Sequence, residues 1–406
     1  MVQLTIERLG HQGDGIGQGP IYAAQTLPGE VVEGDIVDGR MSKPRILTPS
    51  EDRVKAPCRH YSVCGGCSLQ HASDDFVSNW KRDVVVTALK HQGIFAKITA
   101  VHTSPPQSRR RAVFHGKRTK NGAHLGLFGR ASDILHDIPS CKLMSASIMS
   151  GFETLRSLVV LGATRRGHMT LTVTEVAGGL DVSVENGKDL DLKFRSELAS
   201  FVPNSGLIRL VWQGEVIAQN GLPYQLFGSA KVVPPAGAFL QATSHGEAVL
   251  VDAMRRAVGD AKSVVDLFAG CGTFSMPLAQ TARVHAVEDV REMMEALAAG
   301  WREALGLKQV TTETRDLFRR PLLPDELAKF EAVVIDPPRA GAAAQIAELA
   351  KSEIGVIGFV SCNPVTFARD ARVLLDAGFV LDWLEVVDQF RWSSHVEVAA
   401  RFARMS

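Results

Sequence analysis

From about residue 231 the chain alternates short apolar runs with stretches in which apolar residues recur every three or four positions. The runs Ser263-Val264-Val265-Asp266-Leu267, Val284-His285-Ala286-Val287-Glu288, Val310-Thr311-Thr312-Glu313, Ala332-Val333-Val334-Ile335-Asp336 and Gly355-Val356-Ile357-Gly358-Phe359-Val360 suit strands buried on both faces. With helices between them they predict a doubly wound, Rossmann-like α/β sheet. Residues 1 to about 50 have another rhythm, in which Val2-Gln3-Leu4-Thr5-Ile6, Pro20-Ile21-Tyr22-Ala23, Glu30-Val31-Val32 and Asp35-Ile36-Val37 are separated by glycine-rich turns. That pattern predicts a small OB-like β-barrel. Residues 68 to 92 show one apolar helical face (Trp80, Val84, Val85, Ala88, Leu89), and 108 to 228 mix hairpin strands with two helix-like segments, an α+β pattern. We therefore expect three domains, residues 1–52, 53–230 and 231–406.

Composition adds bounds. A chain of 406 residues exceeds one ordinary core. It has no apolar window of about eighteen residues, and its N-terminus lacks a basic region followed by an apolar core, so we expect a cytoplasmic protein without a membrane span. Net charge is only +1, yet residues 101 to 132 carry Arg109, Arg110, Arg111, Lys117, Arg118, Lys120 and Arg130 and no acid, which predicts a basic face. The first 50 residues hold six acids against four bases, so charge does not mark that barrel as RNA-binding.

Three constellations carry chemistry. The last apolar run ends in Ser361-Cys362-Asn363-Pro364, which delivers a thiol to the carboxyl edge of the sheet, where ligands gather. The turn Gly270-Cys271-Gly272 is shorter than a phosphate-binding fingerprint, and Glu288 at the next strand end suits ribose hydroxyls. An adenosine ligand without a diphosphate follows, pointing to S-adenosylmethionine rather than NAD. Finally, Cys58, Cys64 and Cys67 are crowded in one loop, with Cys141 available as a fourth thiolate. In a reducing compartment such a set binds metal, and its spacing suits zinc or an iron-sulfur cluster equally. A radical enzyme is disfavoured, because the gap from Cys58 to Cys64 is wide and four ligands leave no open iron site.

These residues resemble the RNA uracil-5-methyltransferases, specifically the bacterial branch that modifies large-subunit ribosomal RNA, over nearly the whole chain. The segment from Ile6 to Gly15 is similar to that family's TRAM domain, an RNA-binding barrel. Cys58, Cys64, Cys67 and Cys141 resemble its 4Fe-4S ligands, in the central domain. Asp336-Pro337-Pro338-Arg339-Ala340-Gly341 and Ser361-Cys362-Asn363-Pro364 match its catalytic signatures. The resemblance makes Cys362 the nucleophile, Glu397 in His395-Val396-Glu397 the general base, and Gln241, Phe268, Glu288, Asp316 and Asp336 cofactor contacts. It also implies an RNA partner, 23S ribosomal RNA, and a monomer. One departure is Phe390-Arg391-Trp392, where the family usually has Pro and then His after Phe.

The chemistry suits these residues. Uracil C5 is a poor nucleophile until a thiolate adds at C6, and the C5 proton must then be removed so that the thiolate can leave. Other readings are a transfer-RNA uridine methyltransferase, an RNA cytosine-5 methyltransferase and a non-catalytic RNA-binding protein. Ser361 stands where cytosine enzymes usually have a proline, and intact Cys362 and Glu397 argue against a non-catalytic role.

Overall fold

Alternation of apolar and polar residues builds the first sheet. In the computed structural model, which describes residues 1–165 and 167–404, six strands hydrogen-bond in the order Arg40–Met41, Ile21–Ala23, Gly15–Gly17, Val2–Leu9, Val31–Gly34 and Arg45–Thr48. Leu4, Ile6, Ala23, Val32 and Met41 form its small core.

A second sheet takes seven strands, in the order Leu135–Asp137, Gly122–Phe128, Arg111–Thr119, Met169–Val176, Gly179–Glu185, Leu207–Trp212 and Glu215–Gln219. Every other residue, including Ala112, Phe114, Leu125, Leu171 and Val182, packs on the helices Phe152–Gly162 and Leu192–Phe201. A third helix, Ala146–Ser150, was not expected. It is too short for periodicity to reveal, and is started by Ser145, whose hydroxyl accepts from the Ile148 amide.

The third sheet has eight strands, in the order Val310–Thr314, Arg283–Glu288, Ser263–Leu267, Ala332–Ile335, Val356–Ser361, Glu397–Arg404, Phe379–Asp388 and Ile98–Thr103. The first five are parallel, as expected, but Glu397–Arg404 runs antiparallel to both neighbours. The last strand corrects the expected division of the chain. Residues 53–230 were read as one domain, yet Ile98–Thr103 joins this sheet, and helix Asp74–His91 buries Val85, Ala88 and Leu89 in the same core as Phe367, Ala371 and Leu374. An amphipathic helix followed by a short strand suits either sheet, so local pattern could not assign them. Among the described residues no helix is long and apolar enough to cross a membrane.

Candidate active site

The rim of the eight-stranded sheet gathers the expected groups. Phe268, Asp336 and Cys362 each follow the last residue of a parallel strand, and Glu288 ends another. Glu397 instead opens its strand. Because that strand is antiparallel, pairing of Ser361 with Val398 and of Val387 with Glu397 brings the carboxyl to the same rim as Cys362.

Cys362 is half-buried in a turn held from both sides. The Asn363 side-chain oxygen Oδ1 accepts from the Val365 amide at 3.1 Å, capping helix Pro364–Asp376, while its side-chain Nδ2 donates to the Arg339 carbonyl at 2.9 Å. The second bond ties the Asp336-Pro337-Pro338-Arg339 loop to the thiol's turn. Burial pushes the thiol up to about 11, and Glu397 and Asp336 add to the rise while Arg339 opposes it.

Behind the thiol lies a buried chain of acids and amides. Gln241 donates to Asp336 at 3.2 Å and accepts from Gln389 at 2.5 Å; the Gln389 amide also donates to Glu397, and its carbonyl accepts from the Ala242 amide at 2.6 Å. Asp336 and Glu397 both lie well above the ordinary carboxylate range, chiefly because burial disfavours charge, and then because each neighbours another acid. The chain links a group expected at the cofactor to the group expected to take the substrate proton. Gln389 was missed by sequence reasoning. A glutamine after a strand carries no signal, and its partner Gln241 lies 148 positions away.

On the other side of the rim, Phe268 adopts φ 61°, in the left-handed region that few non-glycine residues enter. Its ring lies 5.5 Å from that of Phe318, a second residue the sequence did not single out. Glu288 accepts from the Gly270 amide at 3.1 Å and from the Asp289 amide at 2.9 Å, so its carboxylate braces the glycine turn. Gly272 has φ 94°, and a Cβ there would come 2.9 Å from Leu297, so both conformation and space require glycine. Cys271 is a buried filler in that turn. Asp316 accepts from the amides of Phe318 and Arg319 at 2.9 and 3.2 Å, which caps its own turn.

The four clustered cysteines come together elsewhere. Cys58, Cys64, Cys67 and Cys141 line one cavity of about 320 Å³, together with Arg109, Arg111 and Ser393 to His395. They share a cavity rather than converge on a point, since among the described residues no three His, Cys, Asp or Glu side chains are grouped as around a single metal ion. Amides face two of the sulfurs, Gly66 donating to Cys64 at 3.4 Å and Leu143 to Cys141 at 3.3 Å. Gly65 is required by close approach, because a Cβ would come 2.8 Å from the Phe128 carbonyl. The loop is also tied to the active site, because the Trp392 carbonyl accepts from the amides of Ser68 and Leu69 at 2.7 and 3.0 Å. Trp392 lies between Gln389 and Glu397. Buried Lys81, from helix Asp74–His91, pairs with Asp388 and bonds the Phe390 carbonyl, holding the same loop from beneath.

Of the seven residues expected to form a basic face, Lys117, Arg118 and Lys120 are exposed, but the three consecutive arginines are engaged in structural bonds. Arg110 is 6% exposed, bonds the Gln241 carbonyl at 3.0 Å and pairs with Glu247. Arg111 bonds the Gly237 carbonyl at 3.1 Å, and Arg109 bonds the Arg111 carbonyl at 3.0 Å. They stitch the seven-stranded sheet to segment 237–247. A run of like charge in sequence alternates between two faces of a strand, so its sign does not fix where it points.

Comparison with known proteins bears on the family and the fold. Residues 235–404 match the family model described as tRNA (uracil-5-)-methyltransferase. An uncharacterized RNA methyltransferase of Rhizobium meliloti is 41% identical over 98% of both chains. The 23S rRNA (uracil(1939)-C(5))-methyltransferase of Shewanella woodyi is 32% identical, over 99% of this chain and 95% of its own. Among solved structures, Pyrococcus abyssi tRNA (uracil-54, C5)-methyltransferase in complex with S-adenosyl-L-homocysteine shares the fold, with a TM-score of 0.78 and 21% identity over 99% of both chains.

Proposed function

The chain belongs to the RNA (uracil-5-)-methyltransferases, and we propose that it methylates C5 of one uridine in 23S ribosomal RNA through a covalent Cys362 adduct. The observation that carries the mechanism is the strand register that sets Glu397 beside Cys362 at the rim of the sheet.

S-adenosylmethionine supplies an electrophilic methyl group. Glu288, Phe268, Asp336 and Gln241 would hold it, and Asp316 would contribute through the oxygen not used in its cap. The Cys362 thiolate would add to C6, which places electron density on C5 for its bond to the methyl carbon, while the methyl–sulfonium bond breaks and its electron pair leaves with S-adenosylhomocysteine. Glu397 then takes the C5 proton, the electrons of that C–H bond restore the C5–C6 double bond, and the C6–S bond breaks to return the thiolate. Glu397's raised affinity for protons suits it to the task, because a base near neutrality both accepts and releases a proton at working pH. The target uridine has to leave its stack to reach the rim, which is cheapest in loops and single strands.

Cys58, Cys64, Cys67 and Cys141 share one cavity and would hold a 4Fe-4S cluster, the centre that the resemblance implies, with two of the sulfurs facing amide donors. Such a centre would pin the loop that runs to Trp392, a structural role, because methyl transfer consumes no electrons. The six-stranded sheet would serve as a TRAM-like RNA-binding barrel.

Ribosomal RNA is preferred because the relative named for 23S rRNA matches end to end at 32% identity. Transfer RNA is the second reading, favoured by the function of the solved neighbour. Deleting the gene and mapping 5-methyluridine in both RNA classes by nuclease digestion and mass spectrometry decides between them. Loss confined to ribosomal RNA is the expected result, and loss confined to transfer RNA overturns it.

A further inference from the structure

Within the basic run, Arg110 is buried and Arg109 and Arg111 are half-buried in structural bonds, whereas Lys117 and Arg118 are exposed, which turns attention to the open face that carries Lys117. Helices cover one face of the seven-stranded sheet; the alternate residues of strand Arg111–Thr119 leave by the other, with Val113 37% exposed, His115 half-buried and Lys117 exposed. Beside them, from the neighbouring strand, rise His124, exposed, and Phe128, half-buried. Thr170 and Thr172 stand opposite His115 and Val113 on the third strand.

Three rings on this face form a continuous group. His115 lies 4.3 Å from Phe128 between ring centroids, at 35°, and Phe128 lies 5.4 Å from His168, at 74°. The Nδ1 atom of His168 is buried without a hydrogen-bond partner. Acids are sparse here. Asp181 is neutralised by Arg209, at 2.6 Å, and Glu185 pairs across from Thr170, two strands from His115.

The position of the group is as informative as its chemistry. The Phe128 carbonyl accepts from the Gly65 amide at 2.9 Å, and Val113 and Arg111 line the cysteine cavity together with Ser393 to His395. The ring face therefore borders the cysteine cavity, which also reaches the segment preceding Glu397.

We propose that this open face is a binding track for a single-stranded segment of the RNA substrate outside the target nucleotide. One base stacks on the Phe128–His115 pair, and Lys117 meets a phosphate. Stacking on aromatic rings is tolerant of sequence and suits a splayed strand, whereas a duplex offers no free base face. The inference deepens the RNA methyltransferase reading by naming where the substrate's flank is held.

The test uses the full chain with Phe128→Leu, Phe128→Tyr and Lys117→Glu, none of which touches the reacting atoms. Binding of a fluorescein-labelled single-stranded oligoribonucleotide is followed by anisotropy, and methyl transfer to 23S ribosomal RNA from the deletion strain is measured alongside. Phe128→Leu keeps apolar bulk but loses the ring face, and is expected to weaken binding about tenfold and raise KM with kcat unchanged. Phe128→Tyr restores both. Lys117→Glu lowers the dependence of binding on salt by about one unit of slope. Unchanged melting temperature and S-adenosylmethionine affinity separate these effects from misfolding. Wild-type affinity in Phe128→Leu together with wild-type salt slope in Lys117→Glu overturns the track while leaving the methyltransferase reading intact. Absence of methyl transfer by the wild-type chain overturns that reading separately, since binding is read independently.

Discussion

Glu397→Gln should kill turnover and stabilise the protein at the same time. Glu397 is 2% exposed, its hydrogen bond comes from the neutral Gln389 amide, and its nearest charged neighbour is another acid, Asp336. A carboxylate so placed is held against its preference for water, and its proton affinity is raised accordingly. For an acid raised on folding, the stability it contributes is complete below its unfolded value of 4.5 and is lost as pH climbs through the higher folded value. Each unit of displacement is worth about 1.4 kcal/mol. A rise from 4.5 to about 8 costs the wild type on the order of 5 kcal/mol at alkaline pH. Gln is isosteric, can accept the same bond from Gln389 and carries no charge. The variant should therefore match the wild type in denaturant unfolding near pH 5 and exceed it above pH 8. In the methylation assay, the same variant should accumulate protein joined covalently to methylated RNA on a denaturing gel, since addition needs only Cys362 and release needs the missing base. A stability difference that does not grow with pH would refute the electrostatic argument. Lost activity with no adduct would refute the assignment of the base.

Three further outcomes follow from the geometry. Cys362→Ala should abolish methylation and adduct formation while S-adenosylmethionine affinity, measured by calorimetry, stays near wild type; normal turnover would exclude this thiol as nucleophile. Arg110→Ala should destabilise the protein by about 3 kcal/mol, because it strands half-buried Glu247 without its cation, and should leave the salt dependence of RNA binding unchanged. Cys141→Ser should lower the iron and sulfide content of anaerobically purified protein and its broad absorbance near 400 nm, the mark of an iron-sulfur centre, and stoichiometric zinc in the wild type would instead refute the cluster.

The groups legible in the sequence were those adjacent to their own strand. Cys362 and Glu288 each close an apolar run, and a parallel strand that ends on a polar residue puts it on the rim, whereas Phe268, Asp336 and Gln241 were located by resemblance. Glu397 needed more, because its place depends on an antiparallel return that periodicity does not register, and its resemblance to a family motif located it first. Gln389 and Lys81 were invisible, since their meaning lies in partners 148 and 307 positions away. The arginine run misled for the converse reason. Charge composition is local, whereas which face of a strand becomes internal is decided by segment 237–247, more than a hundred residues on.

The strand Ile98–Thr103 has a consequence in time. Its partner is Phe379–Asp388, with Thr103 opposite Asp388. At about 5–20 residues per second, a ribosome needs roughly 15 to 60 s to make the intervening chain. Through that interval, the strand and the apolar face of helix Asp74–His91 wait unpartnered, while the six-stranded and seven-stranded sheets can finish, since their strands pair among themselves. A ribosome that stops before Phe379 would release a chain with two completed sheets and an apolar helix exposed to whatever binds such surfaces. Expressing residues 231–406 alone would create the mirror fault, a ten-residue edge strand, Phe379–Asp388, open to pairing with copies of itself.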